Sequence, residues 1–287
     1  MKDLTPFYSD VQSHYDLSDD FFALFLDPTR TYSCAYFERD GMTLEEAQLA
    51  KIDLALGKCE LRPGMTLLDI GCGWGSTIMR AMQCYDVNVI GLTLSRNQYN
   101  HVNGLLEAHS GPRRGRVLLQ GWEGFDEPVD RIVSIGAFEH FRRERYEAFF
   151  DKCYDLLPTD GRMLLHTIVY YHRHEVRAKG LPYNREILEF YRFLACEIFP
   201  GGQLPEREWV LDHARTARFE VERVHQLGPN YAPTLEHWAH ALAEHRDEAI
   251  ALTSRQTYDT YLKYLSGCVR LFREGYLDVM QFSLAKK

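Results

Sequence analysis

The stretch "MTLLDIGCGWGS", residues 65–76, decides the fold. A short apolar run carries one acidic residue, Asp69, near its end and then meets glycines at 71, 73 and 75. Such a run, closed by glycines, reads as a buried strand turning into a helix. Glycine lets backbone approach a ligand closely there, and the helix N-terminus favours polar or anionic groups. The G-x-G-x-G spacing differs from the dinucleotide fingerprint G-x-G-x-x-G, and the acidic residue precedes the loop.

Outward from this loop the same alternation continues. Apolar strand candidates fall at 65–71, 87–94, 116–121, 130–136 and 161–169, with helix-like segments between them. They predict a parallel sheet buried on both faces with right-handed crossovers. Upstream, "TLEEAQLAKIDLALGKCEL" opens with Thr43-x-x-Glu46, a capping box, and Ser18 is placed to cap "SDDFFALFLD". Downstream, 170–205 reads as an aromatic-rich helical insertion. "FEVERVHQLG" and "DVMQFSLAK" add two strand candidates that bracket a helical stretch from 234 to 274. The expected architecture is α/β, a seven-stranded Rossmann-like sheet with helices on both faces. It forms a single domain over 1–287, with an N-terminal helical cover (1–40) and the 170–205 insertion for substrate.

The composition narrows the function classes. Of 287 residues, 45% are apolar and 13% aromatic, enough for a large core, and the net charge of -8 includes no basic block that would grip nucleic acid. Seven scattered cysteines without a C-x-x-C pair predict neither a disulfide framework nor a zinc site, and no metal is expected. The sequence lacks a signal-peptide-like apolar run and any membrane-length one. A cytoplasmic, reducing location with at most peripheral membrane contact is therefore expected.

The glycine loop resembles the S-adenosylmethionine loop of class I methyltransferases. There the second strand usually ends in an acidic residue for the ribose, whereas this chain has "GLTLSRNQ", leaving Thr93, Ser95 and Gln98 to hydrogen-bond a diol. In "GWEGF", Trp122 and Glu123 offer a flat face and an acceptor suited to adenine.

Further stretches ("HYDLSDDFFALFLDP", "TYSCAYF", "IGLTLSRNQ", "RIVSIGAFEHF", "LLHTIV", "EIFPGG", "NYAPTL" and "YLSGCVRLFR") resemble the cyclopropane fatty-acid synthase family, and within it the mycobacterial mycolic-acid cyclopropane synthases. The resemblance implies methyl transfer from S-adenosylmethionine to a cis double bond of a long-chain unsaturated acyl lipid, presented on an acyl carrier protein or otherwise. The resulting carbocation then loses a proton to bound bicarbonate and closes a cyclopropane. It implies a cofactor site made of Tyr32 and Ser33, then Leu67, Leu68, Asp69, Ile70, Gly71, Cys72, Gly73, Trp74 and Gly75. Thr93, Leu94, Ser95, Arg96, Asn97, Gln98, Trp122 and Glu123 complete it. Bicarbonate would be held by Cys34, Glu139, His166, the main chain of Ile168, and Tyr231. Tyr15, Gly136 and Phe141 fall on the substrate side, where aromatic faces stabilise a cation. Cys268 is a weaker site candidate, with a structural role preferred. A methyl-branched or hydroxylated product and a non-catalytic lipid binder are the alternatives. Glycine at 136, where the hydroxylating branch looks to have glutamate, favours ring closure.

Overall fold

A computed structural model of the chain describes residues 4–8, 12, 15 and 17–287. The parts of the expected N-terminal cover at 1–3, 9–11, 13–14 and 16 lie outside the described residues.

The strand of the opening stretch, β1 (Thr66–Ile70), is paired on both sides. Its Leu67 and Leu68 enter two different hydrophobic clusters, which is what a strand covered on both faces requires. Around it stand β2 (Asn88–Thr93), β3 (Gly115–Leu119), β4 (Arg131–Ile135), β5 (Arg162–Tyr170), β6 (Glu220–Gln226) and β7 (Leu277–Ala285). The seven strands are ordered β3-β2-β1-β4-β5-β7-β6. The first five pair in parallel, and β7 runs antiparallel between β5 and β6. The sequence-based expectation of seven strands holds, each within two residues of its bounds. The reversal of β7 was not legible, because a fully buried strand has the same apolar pattern in either direction.

Helix α1 (Asp19–Ala23) is capped by Ser18, whose Oγ accepts from the N–H of Phe21. Helix α2 (Leu44–Lys58) begins with the expected capping box of Thr43 and Glu46. Helices α3 (Ser76–Tyr85), α4 (Arg96–Ala108) and α5 (Tyr146–Leu156) follow β1, β2 and β4. The insertion holds α6 (Arg173–Ala178), α7 (Arg185–Phe193) and a π-helical turn (Leu194–Ile198), and α8 (Arg207–Thr216) then leads into β6. The long helical stretch expected over 234–274 is three helices: α9 (Tyr231–Glu244), α10 (Arg246–Leu252) and α11 (Arg255–Glu274). The last break falls where Ser254 caps α11, its Oγ accepting from the N–H of Thr257.

Two clusters flank the sheet, and a third joins α1, the insertion and α9–α11. Trp74, Ile168, Tyr170 and Leu277 belong to the third. They mark the carboxyl ends of β1 and β5 and the start of the antiparallel β7, so this cluster roofs the end of the sheet where open α/β folds bind ligands.

Candidate active site

Two cavities lie under that roof. The first, a cleft of about 120 Å³, is lined by the loops that leave β1, β2, β3 and β4. Gly71, Gly73 and Gly75 all have positive φ, and Gly75 opens α3. A Cβ on Gly71 would stand 2.3 Å from the Cβ of Ala137, so only glycine lets the β1 and β4 loops approach here. Gly73 has nothing within 4 Å of its missing Cβ, which leaves its backbone open to the cleft.

The cleft floor is ionic. Asp69 is buried, and its Oδ2 has no hydrogen-bond partner among the described residues. Burial lifts its carboxyl to about 7, against the pull of Lys51. Lys51 is itself buried, is pushed down to about 8 by desolvation, and donates to Ser33 Oγ at 2.7 Å. Across the cleft, Thr93 Oγ1 donates to Gln98 Oε1 at 2.7 Å. Glu123 Oε1 accepts from Arg145 at 2.9 Å, and the Arg145 guanidinium lies over Phe7, a further lining residue.

Tyr32, Ser33, Asp69 to Trp74, Thr93, Leu94, Gln98, Trp122 and Glu123 all line this cleft. The other cofactor candidates stand behind it. Leu67 and Leu68 fill the flanking cores, and Gly75 packs against Val102. Ser95 caps α4 by accepting from Gln98 N–H, and Arg96 and Asn97 occupy the first turn of that helix.

The second cavity is an apolar chamber of about 190 Å³ between the sheet end, the insertion and α9 and α11. Cys34, Glu139, His166, Ile168, Tyr231 and Cys268 line it together, although they come from five separate regions of the sequence. Glu139 Oε1 accepts from the N–H of Ile168 at 2.7 Å, while the buried Oε2 has no hydrogen-bond partner among the described residues. Burial raises the Glu139 carboxyl above its usual range, outweighing the hydrogen bonds from Ile168 and Thr167. The imidazole of His166 is pushed well below its ordinary value by burial and by the nearby cations Lys51 and Lys58, so it is neutral. Burial likewise keeps the Cys34 and Cys268 thiols and the Tyr231 phenol protonated.

Tyr15, Tyr32, Ser33, Gly136 and His140 line both cavities and form the passage between them. Tyr15 and Tyr32 meet edge to face at 6.3 Å, and Tyr15 Oη lies 3.2 Å from His140 Nε2. Phe141, expected on the substrate side, lines the cleft and packs on Phe149 at 4.9 Å. From the insertion, the chamber receives Tyr191, Leu194, Ala195 and Phe199. Phe190 and Phe193 of the insertion do not line it. Phe190 covers Gly267 of α11, whose Cβ would stand 2.2 Å from its ring, and Phe193 carries Lys263 over its face.

Sequence reasoning missed Lys51. The signal was present: Gln48 and Lys51 fall in phase with Ala47, Ile52 and Ala55 on the buried side of α2. Gln48 donates to the carbonyls of Thr31 and Ser33 and so fixes the segment that carries Tyr32.

Sheet order, glycine loop and cleft are those of a class I S-adenosylmethionine-dependent methyltransferase. Residues 2–282 match the family described as mycolic acid cyclopropane synthetase. Cyclopropane mycolic acid synthase 1 of Mycobacterium tuberculosis is 60% identical over 284 residues, 99% of each chain. The solved structure of the cyclopropane synthase MmaA2 from Mycobacterium tuberculosis superposes with a TM-score of 0.98 at 59% identity, covering 99% of this chain and 100% of that one. That of mycolic acid cyclopropane synthase CmaA1 complexed with SAH and CTAB gives a TM-score of 0.97 at 60% identity, covering 99% of both. The chain belongs to the mycolic acid cyclopropane synthetase family of S-adenosylmethionine-dependent methyltransferases.

Proposed function

We propose that this enzyme converts a cis double bond of a long-chain, mycolic acid-type acyl lipid into a cyclopropane, with bicarbonate in the chamber as the base. The observation that carries the reading is the unpartnered Oε2 of Glu139 inside an apolar chamber that opens through an aromatic passage onto the cleft. A relative complexed with both SAH and CTAB supports a cofactor in the cleft and a lipid-like ligand beside it.

The cleft residues fit the cofactor. The open backbone of Gly73 receives its amino-acid portion, the unpartnered Asp69 Oδ2 suits an ammonium group, and Thr93 and Gln98 face the ribose side. Trp122 supplies a flat apolar wall for the base. When bound, S-adenosylmethionine supplies an electrophilic methyl group to the alkene and leaves as S-adenosylhomocysteine.

The chamber residues do the rest. Methyl addition leaves one alkene carbon positively charged, and Tyr15 and Tyr32 present aromatic rings at the passage where that charge develops. Each face contributes about 0.5–2 kcal/mol, more where water is excluded. The new methyl must then lose a proton while its C–H electron pair closes the ring. Bicarbonate takes that proton and becomes carbonic acid. Glu139, His166, Cys34, Tyr231 and the Ile168 main chain surround the place for such an anion. His166, Cys34 and Tyr231 favour their uncharged forms and burial pushes the Glu139 carboxyl in the same direction, which lessens its repulsion of the anion. Residues 170–205 then act as the substrate insertion and 1–40 as the cover of the cleft, with the acyl chain delivered by a carrier protein. The test is product analysis by mass spectrometry with S-adenosylmethionine and cis-unsaturated acyl substrates, with and without bicarbonate. Bicarbonate-dependent cyclopropane is expected, and methyl-branched alcohol as the sole product would overturn the reading.

A further inference from the structure

A row of polar side chains leaves the chamber across the sheet. His166 on β5 is in register with Gln281 on β7, and Gln281 with His225 on β6. Gln281 is fully buried in a strand whose nine residues are all buried. An amide costs free energy in such a place unless its polar atoms are bonded. Both ends are engaged here. Lys58, in the last turn of α2, donates to Gln281 Oε1, and Gln281 Nε2 lies 3.2 Å from His166 Nδ1.

The chemistry leaves one arrangement of protons. An ammonium has three donors and no acceptor, so the amide oxygen must face Lys58 and the amide nitrogen must face His166. An amide NH2 only donates, so His166 Nδ1 accepts. A neutral imidazole has a single N–H, which is then on Nε2, the nitrogen left for the chamber that His166 lines. Lys58 is held in place by a second contact, 3.0 Å to His225 Nδ1.

We infer that Gln281, oriented by Lys58, is a positioning residue that fixes His166 in the Nε2–H tautomer and so presents a hydrogen-bond donor, not a lone pair, to the anion in the chamber. The inference rests on the reading above that the chamber holds an anion beside Glu139. With the opposite tautomer, Nε2 would turn a lone pair toward the chamber, where it could hold the bicarbonate hydroxyl but would repel the charged oxygens that must take the proton.

Gln281→Glu keeps the size and the pairing with Lys58 but offers His166 only an acceptor, which draws the imidazole proton to Nδ1. Nitrogen NMR of the histidine-labelled full chain, with His166 assigned by its loss in His166→Asn, reads the tautomer directly. The unmodified protein is expected to show Nε2–H alone. Gln281→Glu is expected to move the proton to Nδ1 and to cut turnover on the order of 100-fold, less than the roughly 10⁴-fold loss that a wrong tautomer causes where the histidine itself moves the proton, with S-adenosylhomocysteine affinity unchanged. Should that variant fail to fold, Lys58→Met, at a half-buried position, frees the amide to flip and should give a mixture of tautomers. An Nδ1–H tautomer in the unmodified protein overturns the inference. So does a moved proton in Gln281→Glu with turnover intact, or a single unmoved tautomer in Lys58→Met. The tautomer measurement needs no substrate, so its failure is distinct from a failure of the proposed reaction.

Discussion

The cleft and the chamber share a wall but are built by different means. The cleft is made of loops that leave successive parallel strands, and its shape comes from backbone at Gly71 and Gly73 and from polar groups close to them in sequence. The chamber is made of side chains that converge from the segments around 34, 139, 166–168, 191–204, 231 and 264–277. Sheet topology alone positions the first. The second exists only when the roof packs. Substitutions should therefore separate cofactor binding from chemistry, and the passage residues are where the two effects meet.

The largest separation is expected from Gly73→Val. Its φ of +55° strains any β-branched residue, and the side chain would enter the cleft. Affinity for S-adenosylhomocysteine by calorimetry should fall about 100-fold or more while the fold persists. Unchanged affinity would break the assignment of the cleft.

Glu139→Gln tests the other cavity. It keeps the contact with Ile168 N–H, whose acceptor becomes an amide oxygen, and removes the carboxyl group that can exchange a proton. Ring closure should slow about 100-fold, with cofactor affinity as before. A parallel loss of both would mean that the cavities are not separable.

Gly136 belongs to the passage, and its missing Cβ has only Ser33 nearby, at 3.4 Å. Gly136→Glu should place a carboxylate where the anion would sit and divert product toward a hydroxylated, methylated chain, visible by mass spectrometry. Its φ of +69° adds a stability cost of about 1 kcal/mol or more. Continued cyclopropane formation as the sole product would separate residue 136 from the outcome.

The pH dependence of cofactor binding is a smaller effect with a defined sign. With its carboxyl at about 7, Asp69 is largely neutral below that pH and ionised above it. Only the ionised form attracts an ammonium group. Affinity should thus fall as pH drops through 7, by at most about tenfold per pH unit, and level off above it. In Asp69→Asn this slope should vanish, and a slope that survives assigns the titration to another group.

The smallest effect is expected at Phe193, which packs under Lys263 and does not line the chamber. Phe193→Glu should alter turnover of long substrates by about twofold or less, whereas Leu194→Glu, one residue on, should abolish it. Equal effects would remove the distinction between the two sides of the insertion.

Legibility in the sequence follows the same division. Strand positions, the capping box and the glycine loop are contiguous signals, and each was found where the sequence put it. The chamber residues were reached through resemblance, because nothing local to Cys34 or His166 says that they meet. Residues that act through others were missed. Lys51 and Gln281 are polar side chains inside apolar patterns, and their partners Ser33 and Lys58 are distant in sequence. Which residues of the insertion face the chamber was not legible either, because that side is fixed by contacts with α11 and by the π-helical turn, neither of which helical spacing reveals.

That turn decides how the chamber wall answers a change in length as well as in composition. The N–H of Phe199 reaches back to the carbonyl of Leu194 at 2.8 Å, five residues earlier, so the segment holds one residue more than an α-helix would. Loss of the exposed Cys196 would let the turn relax to α-helical winding. The residues after it would then keep their facing, with Phe199 still against Tyr264, whereas removal of a residue from the regular winding of α7 would rotate those beyond it by about 100°. A one-residue deletion in α7 would therefore recast the chamber wall with no chamber residue changed in kind, while the same deletion at Cys196 would be absorbed by the turn.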